Sequence, residues 1–93
     1  MNTDFHFATA GRFVARELRK RVKERGMSPA EATESIKADV DNIKKPEDAE
    51  GFLFRAIIEI SNTEQYANDM DAALDLLKSR VRESESLDEL QWS

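Results

Sequence analysis

The sequence predicts an all-α fold: a compact four-helix bundle-like domain with a central apolar third helix and a short C-terminal helical turn. Two observations predict it. Apolar residues recur at spacings of three and four along most of the chain, which places their side chains on one face of a helix. Start and stop signals then divide the chain into four segments. We place the helices at residues 4–25, 28–44, 46–61 and 63–83.

The first helix should begin at Thr3 or Asp4 and end at Arg25, because Gly26 follows at a position where helices commonly stop. Its predicted apolar face consists of Phe7, Ala10, Val14, Leu18 and Val22. The opposite side carries a row of cations that we call the basic face: Arg12, Arg16, Arg19, Lys20 and Lys23. Arg21 and Arg25 fall nearer the apolar side, where we expect them to extend along apolar surface or to meet carboxylates.

The second helix has the clearest start signal in the chain. Ser28-Pro29-Ala30-Glu31 offers a capping serine, a proline at the first helical position and a glutamate at the third, which together form a capping box. The helix must end before Pro46, because the residue before a proline is driven out of the helical region. About two residues join the first two helices, which predicts an antiparallel or steeply angled hairpin.

The third helix contains the most apolar stretch of the chain, residues 51–60, in which seven of ten residues are apolar. Pro46 and the acidic residues after it favour a start there, so we predict one helix over 46–61 with Gly51 inside it. A helix so apolar around its circumference must be covered by several neighbours or by a second subunit. We therefore expect a homodimer with Phe54 and Ile58 at its interface.

The fourth helix carries an apolar stripe made of Tyr66, Met70, Ala73, Leu74, Leu77 and Val81. Its start is open, because the residues around Asn68 weaken its first turns and a later start at Asp69 is an alternative to Thr63. Residues 84–93 do not continue the apolar stripe of the fourth helix. They either fold back on the bundle or fray as a flexible tail, or they bind a groove on a partner. The partner-binding residues would be Leu87, Leu90 and Trp92.

Composition limits the chain to one helical domain over residues 1–93. A chain of 93 residues that is 40% hydrophobic and 35% charged fits one modest core with a well-solvated exterior. The absence of cysteine excludes disulfides, thiol nucleophiles and thiolate metal sites. Without a stretch long enough to span a membrane or a signal peptide pattern, we expect a cytoplasmic protein with no membrane partner.

The net charge of −5 conceals an uneven distribution. Residues 12–25 carry seven basic and two acidic side chains, a net charge of +5, so the remainder of the chain sums to −10. Residues 46–93 hold twelve acidic and four basic side chains, a net charge of −8. We expect the basic and acidic regions to attract each other within one subunit or between subunits.

The residue types that catalysis needs are scarce. The chain has one histidine, His6, no cysteine and no glycine-rich phosphate loop, so we predict no catalytic residue, no metal site and no cofactor. Glu64, Asp71 and Asp75 can share part of a helix face, but carboxylate metal sites in helical bundles usually include Glu-x-x-His motifs, which this sequence lacks. We therefore expect that the protein is not an enzyme.

The remaining features favour a small helical protein-interaction module, regulatory or adaptor in type and homodimeric, that binds another protein. Two alternatives stay open. The basic face could contact the phosphates of a nucleic acid, although it has no interleaved aromatic residues and the chain is acidic overall. The acidic C-terminal half could instead dock on a basic protein as a nucleic-acid mimic.

Overall fold

The computed structural model describes residues 3–85 and residue 87, and this part of the chain folds into helices joined by turns. The helices are α1 (Thr3–Arg25), α2 (Pro29–Asn42), α3 (Phe52–Ser61) and α4 (Met70–Glu83), with a 3-10 turn at Pro46–Asp48. The predicted all-α, four-helix fold is confirmed. Within the described residues, none of the helices combines the length and the apolarity that crossing a bilayer requires.

Helix α1 packs most extensively on α3, which is not its neighbour in sequence. The two helices are antiparallel, because His6 near the start of α1 contacts Glu59 near the end of α3, and Arg21 lies over Phe52 at the start of α3. Helix α3 also contacts α4, and α2 contacts both α1 and α4. Two helices therefore cover α3, in keeping with its apolar composition.

A single apolar core joins the four helices, and the apolar faces predicted from spacing enter it. Its buried members are Ala10, Val14, Leu18, Ala32, Ile36, Val40, Ile43, Ala49, Leu53, Ala56, Ile57, Ile60, Ala73, Leu74, Leu77, Val81 and Leu87. Phe7, Val22, Tyr66 and Met70 are partly buried against this core. Helices α2, α3 and α4 are therefore held mainly by burial of their apolar stripes, because isolated helices as short as these are marginal in water.

The connection between α1 and α2 follows the predicted capping signals. Gly26 has a φ of 68°, a left-handed conformation that glycine adopts readily. The Ser28 hydroxyl accepts a hydrogen bond from the Glu31 N–H at 3.1 Å, and the Glu31 carboxylate accepts one from the Ser28 N–H at 2.9 Å. The capping box is therefore confirmed. Helix α2 ends at Asn42, two residues before the predicted end at residue 44.

The prediction of one helix over residues 46–61 is wrong at its start. After the 3-10 turn, Ala49 is extended, and Gly51 adopts φ 60° and ψ −131° before α3 begins at Phe52. This backbone conformation is accessible mainly to glycine. Gly51 is therefore the N-cap of α3 and not a residue of the helix interior, and α3 has only ten residues.

Helix α4 begins at Met70, so the later of the two predicted starts is confirmed. Ala67 and Asn68 have φ values of 43° and 66°, which interrupt helical geometry before it. The Asp69 carboxylate then accepts a hydrogen bond from the Ala72 N–H at 3.1 Å and caps the helix. The predicted range of 63–83 was too long because residues 63–69 form turns between α3 and α4.

Candidate functional site

An open groove of about 610 Å³ lies between α1 and α2, beside the chain that follows α4. Among its lining residues, Leu18 and Thr33 are buried, Val22 is half-buried, and Pro29 and Ala30 are exposed. Its charged lining residues are Arg19, Glu34, Lys37 and Glu85. We call this feature the α1–α2 groove. An apolar lining edged by charges of both signs is suited to an amphipathic segment of a protein.

The short connection between α1 and α2 creates this groove. Val22 and Ala30 line the same groove although only eight positions separate them in the sequence. The left-handed Gly26 ends α1, and the capping box starts α2 within three residues of that end. Local sequence therefore places the end of α1 near the start of α2, although it does not specify which faces of the two helices meet.

Arg21 then fixes α2 against α1. Its Nε donates to a Glu17 carboxylate oxygen at 2.8 Å, and its two terminal nitrogens donate to the Ser35 hydroxyl and to an Asp39 carboxylate oxygen, each at 2.7 Å. Its guanidinium carbon lies 5.8 Å from the centre of the Phe52 ring. Only 5% of Arg21 is exposed. One side chain therefore connects α1, α2 and the start of α3.

The electrostatics of this cluster keep Arg21 charged. Burial alone would lower the pKa of Arg21, but the hydrogen bonds and negative charges of Glu17 and Asp39 outweigh burial, and the pKa is raised. The expectation that Arg21 meets carboxylates is confirmed. Arg25, grouped with it in the sequence, is exposed.

The basic face lies on the protein surface and adjoins the groove. All five of its members, Arg12, Arg16, Arg19, Lys20 and Lys23, are exposed. Arg12 donates a hydrogen bond to the Thr9 hydroxyl at 3.2 Å. Arg19 belongs both to this face and to the α1–α2 groove. A ligand in the groove would therefore lie beside several cations.

A second depression, of about 480 Å³, lies between α1 and the start of α3. Its charged lining residues are Arg16, Glu17, Lys20, Glu50 and Arg55, and Phe13 and Phe52 also line it. Three cations are thus partly balanced by two carboxylates. The depression is therefore less suited to a polyanion than the cations alone would suggest.

The predicted dimer residues lie away from the groove. Phe54 and Ile58 are one turn apart on α3; Phe54 is 38% exposed and Ile58 is half-buried. Neither lines the α1–α2 groove. Their role at a dimer interface stays a prediction.

The three residues of the predicted partner-binding tail have different positions. Leu87 is fully buried in the apolar core of its own chain, so its side chain is not presented to a partner. Leu90 and Trp92 lie outside the described residues. Binding of a partner by the tail stays a prediction for these two residues.

His6 has a structural contact. Its Nδ1 lies 2.9 Å from a Glu59 carboxylate oxygen and joins α1 to α3. In the part of the chain that the structure describes, no group of three or more His, Asp or Glu side chains is placed to hold a metal ion.

Sequence reasoning missed the α2 side of the groove, which consists of Pro29, Ala30, Thr33, Glu34 and Lys37. A signal was present. Ala30 and Thr33 are short side chains three positions apart on one side of α2, and they line the groove together with the larger Leu18 and Val22 of α1. Short side chains leave space between two helices, but recognising this required knowing which faces of α1 and α2 lie together.

The fold and the groove define a small all-α protein with an open amphipathic surface site. No family model, no curated protein and no solved structure matches the chain. Its function is therefore inferred from the groove itself and from the surfaces around it.

Proposed function

We propose that this chain is a non-catalytic protein-interaction module, regulatory or adaptor in type, that acts in the cytoplasm. Its α1–α2 groove binds an acidic, amphipathic segment of a partner protein. The observation that supports this proposal is the groove of about 610 Å³ with an apolar lining beside an exposed basic face. Such a site can take an apolar anchor residue and hold charged groups around it.

Charge complementarity favours an acidic partner segment. Within the groove, Arg19 and Lys37 are balanced by Glu34 and Glu85. The excess positive charge comes from the adjoining basic face, which shares Arg19 with the groove and extends along α1 from Arg12 to Lys23. A segment with apolar residues on one side and carboxylates on the other would match both surfaces, and its charges would mainly accelerate association.

A substitution at Ala30 tests this proposal without disturbing the core. Ala30 is exposed in the first turn of α2, so Ala30→Glu adds bulk and negative charge to the groove while an acidic residue there favours the helix dipole. Ala38→Glu is the matched control, because Ala38 is exposed on the same helix and does not line the groove. The wild type and the two variants serve as baits in affinity purification. The captured partner is then purified, and its dissociation constant with each of the three proteins is measured by calorimetry.

We expect the wild type and Ala38→Glu to bind the same partner with equal affinity. Ala30→Glu should raise the dissociation constant at least about tenfold, which corresponds to about 1.4 kcal/mol. The apolar contacts should make binding tolerant of salt. Equal binding by Ala30→Glu, or the absence of any partner that distinguishes it from Ala38→Glu, would contradict the proposal.

We further propose that the module is a homodimer that pairs through Phe54 and Ile58. The support is that both residues lie one turn apart on the most apolar helix and that Phe54 remains 38% exposed. This interface lies apart from the groove, so a dimer would present two grooves.

Nucleic-acid binding is a second candidate, and the exposure of all five cations of the basic face favours it. Phosphate contacts would make affinity fall steeply with the logarithm of salt concentration. Reversing Arg16 and Lys20 to glutamate would then weaken binding, whereas Ala30→Glu would have little effect. This pattern separates the two candidates.

A further inference from the structure

We propose that the α1–α2 groove is also the binding site of the chain's own C-terminal segment, residues 88–93. The segment competes there with the partner and so regulates access to the groove. This inference rests on the proposed function of the groove as a docking site. It adds a specific occupant that belongs to the same molecule.

The position of the chain after α4 supports this occupant. Glu85 lines the groove, and Leu87 two residues later is fully buried in the core. The chain is thus held beside the groove just before residues 88–93. Six residues can span roughly 20 Å when extended, whereas the groove residues of α2, from Ala30 to Lys37, cover roughly 10 Å of helix. The segment can therefore reach the whole groove without moving Leu87.

The chemistry of the segment matches the groove. Its sequence is Asp-Glu-Leu-Gln-Trp-Ser, with two carboxylates followed by two large apolar side chains. Leu90 and Trp92 can contact the apolar lining, where a tryptophan is an effective anchor residue. Arg19 and Lys37 are the cations in the groove that the two carboxylates can approach. This is the combination of apolar and acidic groups that the proposed partner segment must also carry.

Competition follows from the covalent connection. Exposed ion pairs contribute little, so the two apolar side chains must supply most of the binding free energy, and the contact is weak. A short connection nevertheless gives the segment an effective concentration in the millimolar range, which a free partner must overcome. The segment would thus reduce the apparent affinity of the groove without blocking it permanently.

Trp92 provides a direct test because it is the only tryptophan in the chain. Its fluorescence is measured in the 93-residue protein with acrylamide as a neutral quencher, and the same protein in urea serves as the unprotected reference. We expect the quenching constant of the wild type to be several-fold lower than that reference. Ala30→Glu should raise it several-fold towards the reference, and Ala38→Glu should leave it unchanged.

Disulfide trapping provides a second measurement, since the natural chain has no cysteine. The double variant Ala30→Cys with Gln91→Cys should form an intramolecular disulfide several-fold faster than Ala38→Cys with Gln91→Cys under the same mild oxidant. Equal rates would contradict docking in the groove, because Ala38 does not line it.

Three fluorescence results would overturn the inference. Trp92 could be as accessible in the wild type as in urea, or its protection could be unaffected by Ala30→Glu. Protection that disappears on dilution would show that the segment binds a second copy and not its own groove. None of these measurements involves a partner, so their failure leaves the proposed function untouched. Conversely, if no partner were found, the quenching of Trp92 would still test whether the segment binds the groove.

Discussion

The guanidinium of Arg21 has hydrogen-bond partners on α1 and α2 and lies over an aromatic ring of α3. Helical spacing predicted that Arg21 lies near the apolar side and either extends along apolar surface or meets carboxylates, and the structure shows the second alternative. Glu17 could be anticipated as a partner, because residues four apart are neighbours on a helix. Asp39 could not be anticipated, because it lies 18 positions away in the sequence and only the packing of α2 against α1 brings it within reach of Arg21.

Arg21→Ala should therefore lower the free energy of unfolding by about 2–3 kcal/mol, because it leaves Glu17 without its cation and opens the contact with Phe52. Arg21→Lys should recover less than half of this loss, since an ammonium cannot reproduce the planar fork of hydrogen bonds. Urea denaturation followed by circular dichroism measures both. Arg25→Ala is the control, and it should remain within about 0.5 kcal/mol of the wild type because Arg25 is exposed.

Among the helices, those whose ends depend on local signals were predicted well. The capping box at Ser28 and the glycine at position 26 determine the junction of α1 and α2 through residues close in sequence. The start of α3 was missed because Pro46 begins a 3-10 turn and Gly51 then adopts a backbone conformation outside the helical region. The positive φ of Ala67 before α4 had no signal in residue type, since alanine rarely adopts it.

The capping box should make the stability of the protein depend on pH through Glu31. The backbone N–H of Ser28, and then the Ser28 side chain, hydrogen-bond to the Glu31 carboxylate and lower its pKa from the ordinary value of 4.5. A carboxylate with a lowered pKa stabilises the folded state above its unfolded pKa, and that stabilisation is lost as pH falls through the folded value.

Glu31→Gln should therefore be less stable than the wild type at neutral pH, and the difference should shrink as pH falls below 4.5. Urea midpoints measured across this range test the expectation. Glu34→Gln is the control, because Glu34 is exposed and lies about one turn after Glu31, outside the capping box. It should change the urea midpoint little at any of these pH values. A difference for Glu31→Gln that persists at the lowest pH would contradict the role of the charge.

For the molecule as a whole, composition and spacing predicted the fold class and most of the core but not the arrangement of the helices. The pairing of α1 with α3 depends on how all the apolar faces fit together, which no single stretch specifies. The groove follows from the same arrangement, because it lies where α1 and α2 present short and large side chains to one space. The basic face could be predicted because exposed charges follow directly from helical spacing.

The expected homodimer can be tested by changing the two residues at its predicted interface. Replacing Phe54 and Ile58 together by serine should halve the mass of the particle in solution, as measured by light scattering with size-exclusion chromatography. Leu76→Ser is the control, because Leu76 is a partly buried residue on a different helix, and its replacement should leave the mass of the dimer unchanged. A wild-type protein with the mass of one chain would contradict the dimer directly.

The pairing of α1 with α3 also has a consequence for biosynthesis. Helix α1 leaves the ribosome first, but its most extensive packing partner follows only after α2 has been made. Until then the nascent chain must expose part of its apolar stripe to solvent and to any protease or chaperone nearby. We expect productive folding during translation to await the emergence of α3, so that truncated nascent chains ending within α2 remain sensitive to protease.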